Sequence, residues 1–261
     1  SRGRTWLTAT AKLTLGGRTA RAARRIPVSE ETVRLRRRIL QQSYYLAALQ
    51  LLPEAPPWGA LAGVRPTKIP TKVLLSGGTR READRLLRDV YFISPERRRL
   101  CLDASEATVR AAERLAPTDL SLYVGIPFCP TRCAYCSFVS QSIEREGALV
   151  EPFLQALLRE LAHTAELLAR SPCRIRTLYF GGGTPTILTA DQLRRLMAAI
   201  ASHFDLSRLI EYTVEGGRPD TLDAEKLAVL REYGCGRVSI NPQTMSDAVL
   251  RAVGRRHTTQ D

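Results

Sequence analysis

Three cysteines within eight residues, Cys129-Pro-Thr-Arg-Cys133-Ala-Tyr-Cys136, are the residues of this chain whose type and spacing most directly suggest chemistry. They follow the apolar run Leu120 to Ile126, and no fourth Cys or His lies close by. An iron–sulfur cube with four irons takes four thiolates, so three leave one iron open to a ligand that is not protein. An open coordination position marks a reactive metal site, as it does when catalytic zinc is told from structural zinc. The competing readings are structural zinc, which wants four ligands, and three unrelated buried thiols. Three of only six cysteines in so short a stretch argues against the latter.

The elements around this loop must hold it in place. From Leu120 onward the pattern is strand, loop, helix, four times over, which predicts parallel strands joined by crossover helices. Strands are expected at Leu120 to Ile126, Ile175 to Phe180, Leu209 to Val214 and Arg237 to Ile240. Past their carboxyl ends come the three Cys, Gly181-Gly182-Gly183-Thr184, Glu215-Gly-Gly-Arg218 and Asn241-Pro-Gln243. In parallel α/β folds that edge is where ligands bind. Taken singly, the Gly triplet reads equally as a tight turn, Glu215 as a salt-bridge partner and Gln243 as a helix cap. Taken together on one rim, they read as a site. The bare backbone of the glycines permits close approach of a ligand, and Glu215 is an acceptor for hydroxyls or an ammonium.

Residues 1–118 read differently. Apolar side chains on odd positions from Leu7 to Leu15 predict a half-buried strand, and Gly16-Gly17 a hairpin turn into a second strand from Thr19 to Ala23. A helix opening at Ser29 is expected to run to Pro53, a short one to end at Gly77-Gly78, and Thr79-x-x-Glu82 to cap a third. Ser94-Pro95 starts a fourth, which reaches Leu115. No catalytic constellation is visible here. Trp6 and Trp58 read as packing residues, and Arg36-Arg37-Arg38 as a solvated helix face.

Net charge is +13, yet only four of the 39 basic residues are Lys, and the arginines are spread through every segment. That even spread reads as a compositional bias, not as a nucleic-acid patch. It still favours an anionic substrate, because guanidinium groups grip carboxylates bidentately. No stretch reaches the roughly 20 apolar residues of a membrane span, and no signal-peptide core is present. A cytoplasmic, reducing setting is expected, with Cys101, Cys173 and Cys235 as free thiols.

The C-x3-C-x2-C spacing, with Tyr135 before the last Cys, resembles the radical S-adenosylmethionine (SAM) superfamily. Tyr123-Val-Gly-Ile-Pro-Phe-Cys129, Tyr179-Phe-Gly-Gly-Gly-Thr-Pro185 and Val214-Glu-Gly-Gly-Arg-Pro-Asp220 are together similar to the oxygen-independent coproporphyrinogen III oxidase family. Arg237 to Met245, Gly254-Arg-Arg-His257 and the upstream Gly63-Val-Arg-Pro-Thr-Lys68 look most like its HemZ branch. The resemblance implies a [4Fe-4S] cluster on Cys129, Cys133 and Cys136. It implies SAM contacts at Tyr123, Tyr135, Gly182, Gly183, Thr184, Glu215, Gln243 and Arg255. It implies a one-electron donor such as a flavodoxin or ferredoxin, and an anionic tetrapyrrole as substrate. The implied reaction converts two propionates of coproporphyrinogen III to vinyls with loss of CO2.

Two departures stand out. The authentic oxidases carry another Cys two residues after the third ligand, where this chain has Phe138; the related haem-trafficking branch lacks it too. The family barrel has six units and this chain four, and no Met opens it, so it reads as part of a longer enzyme. The expected fold is therefore α/β, a partial parallel (β/α) radical SAM barrel over residues 119–261. A small mainly helical domain with a β-hairpin precedes it over residues 1–118.

Overall fold

A computed structural model describes residues 5–61 and 65–261. The chain divides between Leu115 and Ala116 into two compact units.

In the first unit β1 (Trp6–Leu15) and β2 (Arg18–Pro27) form an antiparallel hairpin, turned at Gly16 and Gly17, which both have positive φ. The helix α1 (Val33–Leu49) packs on it, and the buried Ser43 hydroxyl donates 2.8 Å to the Ala9 carbonyl. Ser29 does not cap this helix. Thr32 does, by accepting from the Leu35 N–H, because residues 28–30 form a separate 3-10 turn and Glu31 is extended. The helix also stops at Leu49, short of Pro53.

Three further helices, α2 (Lys68–Leu75), α3 (Arg80–Asp89) and α4 (Pro95–Ala112), close around Ala83, Leu87, Ile93, Cys101 and Leu102. The Thr79–Glu82 capping box is formed at α3. Trp58 packs against this cluster. Trp6 is 40% exposed instead, with the Arg25 guanidinium 4.5 Å from its ring centroid. Of the arginine run, Arg38 leaves solvent in part to lie over Tyr91. Gly63 and Val64 of the upstream motif lie outside the described residues.

The second unit begins with β3 (Asp119–Ile126), followed by the two-residue strands β4 (Phe128–Cys129) and β5 (Gln141–Ser142), which flank the Cys loop. After α5 (Ile143–Glu146) and α6 (Val150–Ala169) come β6 (Arg174–Gly182), α7 (Ala190–His203), β7 (Glu211–Glu215), α8 (Ala224–Glu232), β8 (Arg237–Ser239) and α9 (Asp247–Ala252). Strands β3, β6, β7 and β8 pair in that order, all parallel. Each new strand joins the same edge, which is the progression of a (β/α) barrel; a doubly wound sheet reverses direction. This is the partial parallel barrel expected from the four strand–helix units.

The pleat sorts the side chains. Val124, Ile126, Leu178, Phe180 and Val214 point to one face and pack, fully buried, on Leu154, Leu193, Leu196 and Ile200 of α6 and α7. Burying each such side chain is worth about 1.5–3 kcal/mol. The other face carries Tyr123, Tyr179, Thr213 and Arg237 in one register row across the four strands. The Thr189–Gln192 capping box starts α7. Gly234 and Gly254, both with positive φ, end α8 and α9.

Candidate functional site

Strand β6 runs two residues further than the sequence pattern predicts, carrying Gly181 and Gly182 in its last turn of pairing with β3. The chain then folds back under the Cys loop. Gly183 N–H donates 2.8 Å to the Ile126 carbonyl and Thr184 N–H 2.8 Å to that of Phe128. No side chain fits here. A Cβ on Gly183 would lie 2.6 Å from the Phe128 carbonyl and 3.0 Å from Cys129 Sγ, and Gly182 has φ +102°. The glycines thus place bare backbone directly beside a thiol.

The Cys loop is held from both sides. Ala134 N–H donates 3.0 Å to the Val253 carbonyl and Thr131 Oγ1 2.6 Å to that of Gly254, tying the loop to the end of α9. Each thiol has its own polar neighbour. Thr184 Oγ1 donates to Cys129 Sγ over 3.4 Å, Arg218 Nη2 to Cys133 Sγ over 3.2 Å, and Ser140 Oγ lies 3.9 Å from Cys136 Sγ.

A cavity of about 230 Å³ opens at this carboxyl edge. The three cysteines, Tyr135, Gly182, Gly183 and Thr184 line it, together with Glu215, Gln243 and Arg255. Ten of the eleven residues singled out from the sequence therefore meet in one place. Tyr123 is the exception. It lies on the polar face of the sheet, its ring stacked 5.8 Å from that of Tyr179, with its hydroxyl over Gly181.

Arg218 is 2% exposed and donates to Thr131 and Cys133; Arg255 is 7% exposed, donates 2.7 Å to the Asn241 carbonyl and 3.1 Å to Gln243 Oε1, and keeps its Nε buried without a partner. Neither guanidinium meets a carboxylate among the described residues. Glu215 accepts 2.6 Å from the Tyr179 hydroxyl, which pushes that phenol up to about 12, chiefly through this hydrogen bond. Gln243 holds a left-handed backbone, φ +68°, with its N–H donating to Asn241 Oδ1. Outside the cavity Cys101 and Cys235 are different in kind, because burial pushes their thiols up and makes them poor ligands.

The donor set fits an iron–sulfur cube. A cube binds each thiolate at a separate iron corner, and the three thiols of this loop line one cavity, each beside its own polar neighbour. Two buried guanidiniums without carboxylates call for anions beside them, which thiolates and a ligand carboxylate would supply.

Arg218, Tyr179 and Asn241 are site residues that sequence reasoning did not assign a role. Each stood inside a quoted motif. Arg218 in particular ends the Glu-Gly-Gly-Arg turn on the same rim, which is the signal that could have found it.

The radical SAM superfamily model matches residues 123–261, more than half of the chain. The chain belongs to the radical SAM superfamily, whose cofactors are a [4Fe-4S] cluster and S-adenosylmethionine. Within it the similarity runs to the oxygen-independent coproporphyrinogen III oxidases and their kin. The oxygen-independent coproporphyrinogen-III oxidase-like protein HemZ of Bacillus subtilis is 41% identical over 78% of this chain and 41% of its own length. The heme chaperone HemW of Lactococcus lactis is 38% identical over 53% of the chain and 34% of its own length. An oxygen-independent coproporphyrinogen III oxidase of Pseudomonas aeruginosa is 37% identical over 57% and 32% respectively. The chain thus spans between 32% and 41% of the length of these relatives.

Proposed function

We propose that this chain is the cluster- and SAM-binding part of an oxidoreductase that decarboxylates the two propionates of coproporphyrinogen III to vinyls without oxygen. The observation that carries the reading is the convergence of three thiols, a glycine ledge and two guanidiniums without carboxylates on one cavity. Similarity to named oxidases supports the substrate.

In this reading Cys129, Cys133 and Cys136 hold three irons of the cluster. SAM at the remaining iron would supply, with one electron, the radical chemistry that removes a hydrogen atom from substrate. The chain's own work is to bind and orient. Gly182 and Gly183 let the methionine amino group approach the backbone, with Thr184 beside them and Tyr135 along the wall. Arg255 answers the methionine carboxylate with its unpartnered Nε, which is the cheapest way to satisfy a buried donor. Glu215, held by Tyr179, takes the ammonium or the ribose hydroxyls, and Gln243 the ribose. Tyr123 bounds the polar face below them.

A second reading has its own observation. Phe138, where the oxidases carry a further Cys, is 67% exposed, and Val139 beside it 88% exposed, with Phe138 lining the cavity. An apolar lip at the mouth suits a flat macrocycle that is held and passed on, as a haem carrier would do.

Anaerobic reconstitution with iron and sulfide, then SAM and dithionite, separates the readings in a chain of the relatives' full length. Release of 5'-deoxyadenosine with conversion of coproporphyrinogen III supports the oxidase. Tight haem binding with no tetrapyrrole product selects the carrier. Absence of SAM cleavage rejects the oxidase.

A further inference from the structure

On the outer side of the Cys loop lies a second cavity, of about 950 Å³, which shares Cys133 and Arg255 with the first. Four exposed arginines ring it: Arg132 from the loop, Arg145 from α5, Arg251 from α9 and Arg256 just beyond. Glu144 is the one acid in its lining and is taken up by Arg256. Arg132 donates to the Ser140 carbonyl, while Arg145 and Arg251 have no ion-pair partner among the described residues.

We propose that this arginine ring docks the electron donor, a small acidic protein of flavodoxin or ferredoxin type, over the back of Cys133; this rests on the radical SAM function proposed above. Three features point to a protein partner. The smaller cavity is filled by SAM in that reading, so an electron must enter from another side. Cys133 forms a wall of both cavities, so a donor seated on the outer one stands a single side chain from the cluster. The ring arginines are exposed, whereas a built pocket for a small anion would bury its donors; the one buried guanidinium here, Arg255, turns Nη1 and Nη2 to Asn241 and Gln243, and its Nε is given to SAM in that reading. Rim charges of one sign steer transient encounters and set the rate of association. The donor loses one electron and the cluster gains it, with no proton or group transferred.

The test is stopped-flow reduction of the reconstituted chain by prereduced flavodoxin, in the wild type and in the double variant Arg145→Glu with Arg251→Glu. The variant should lower the second-order rate constant about tenfold or more at low salt, and the wild-type rate should fall as salt rises. Cluster absorbance, SAM affinity and photoreduction by a free deazaflavin should be unchanged. A flavodoxin rate indifferent to both salt and charge reversal overturns the docking proposal while leaving the function intact. So does a variant that loses tetrapyrrole or RNA binding and not donor reduction. Failure of the photoreduced wild-type chain to cleave SAM is the separate result that strikes at the function itself.

Discussion

Arg218 donates from Nη2 to Cys133 Sγ across 3.2 Å while its guanidinium is buried almost completely and its remaining bonds go to Thr131. A buried cation costs several kcal/mol unless an anion answers it. Here the group that can do so is Cys133 as a thiolate, or the cluster that it holds. Arg218 therefore ties strand β7 to the Cys loop and balances its charge.

Replacing Arg218 by Gln removes that positive charge from beside the cluster. The reduced, more negative cluster loses more stabilisation than the oxidised one, so the midpoint potential should move to more negative values. Cluster affinity should fall roughly 10–100-fold, as for other residues that orient metal ligands. Redox titration followed by electron paramagnetic resonance reads both. An unchanged potential would reduce Arg218 to a packing residue.

Cys133→Ala should abolish the brown absorbance of the reconstituted protein. Cys101→Ala, Cys173→Ala and Cys235→Ala should retain it, since the first and last of these thiols are held protonated by burial. Loss of colour in Cys235→Ala would place a cluster ligand at Cys235.

At Gly183 a single methyl group is informative. Its Cβ would meet the Phe128 carbonyl at 2.6 Å, and forcing it in costs about 1–3 kcal/mol. Gly183→Ala should keep its far-ultraviolet circular dichroism and lose cluster occupancy. Full occupancy in the variant would mean that the ledge is not what brings the backbone to Cys129.

Tyr179 fixes Glu215 by one hydrogen bond, worth about 1.5–3 kcal/mol when the acceptor is charged. Tyr179→Phe should weaken SAM binding by about tenfold or more, measured by equilibrium dialysis, and leave the cluster spectrum alone. The pH dependence follows. The folded phenol titrates near 12, above the ordinary 10, so its stabilising bond is fully present below pH 10 and is lost as pH rises from 10 through 12. Wild-type protein should lose stability over that window more steeply than Tyr179→Phe.

Much of this was readable along the chain because it is local. The spacing of Cys129, Cys133 and Cys136, the apolar strands before each rim motif, and the Thr79 and Thr189 capping boxes all depend on residues a few positions apart. The start of α1 was misplaced for the same reason. Ser29 and Thr32 are both good caps, and the choice was made by the extended backbone at Glu31.

The arginine ring shows the other side. Read along the chain, Arg132, Arg145, Arg251 and Arg256 are scattered members of an evenly basic composition. Folding of α9 against the Cys loop, through Gly254 and Thr131, brings residues more than a hundred positions apart onto one rim.

The order of residues by itself determined the three-thiol spacing and the strand–helix repeat, because sequence spacing and periodicity act over short distances. Only the tertiary structure decided that Arg218 faces Cys133, that Glu215 is held by Tyr179, and that Gln243 binds Arg255. Those pairings depend on which parallel strand lies next to which and in what register, and that is settled by burying one face of the sheet against α6 and α7.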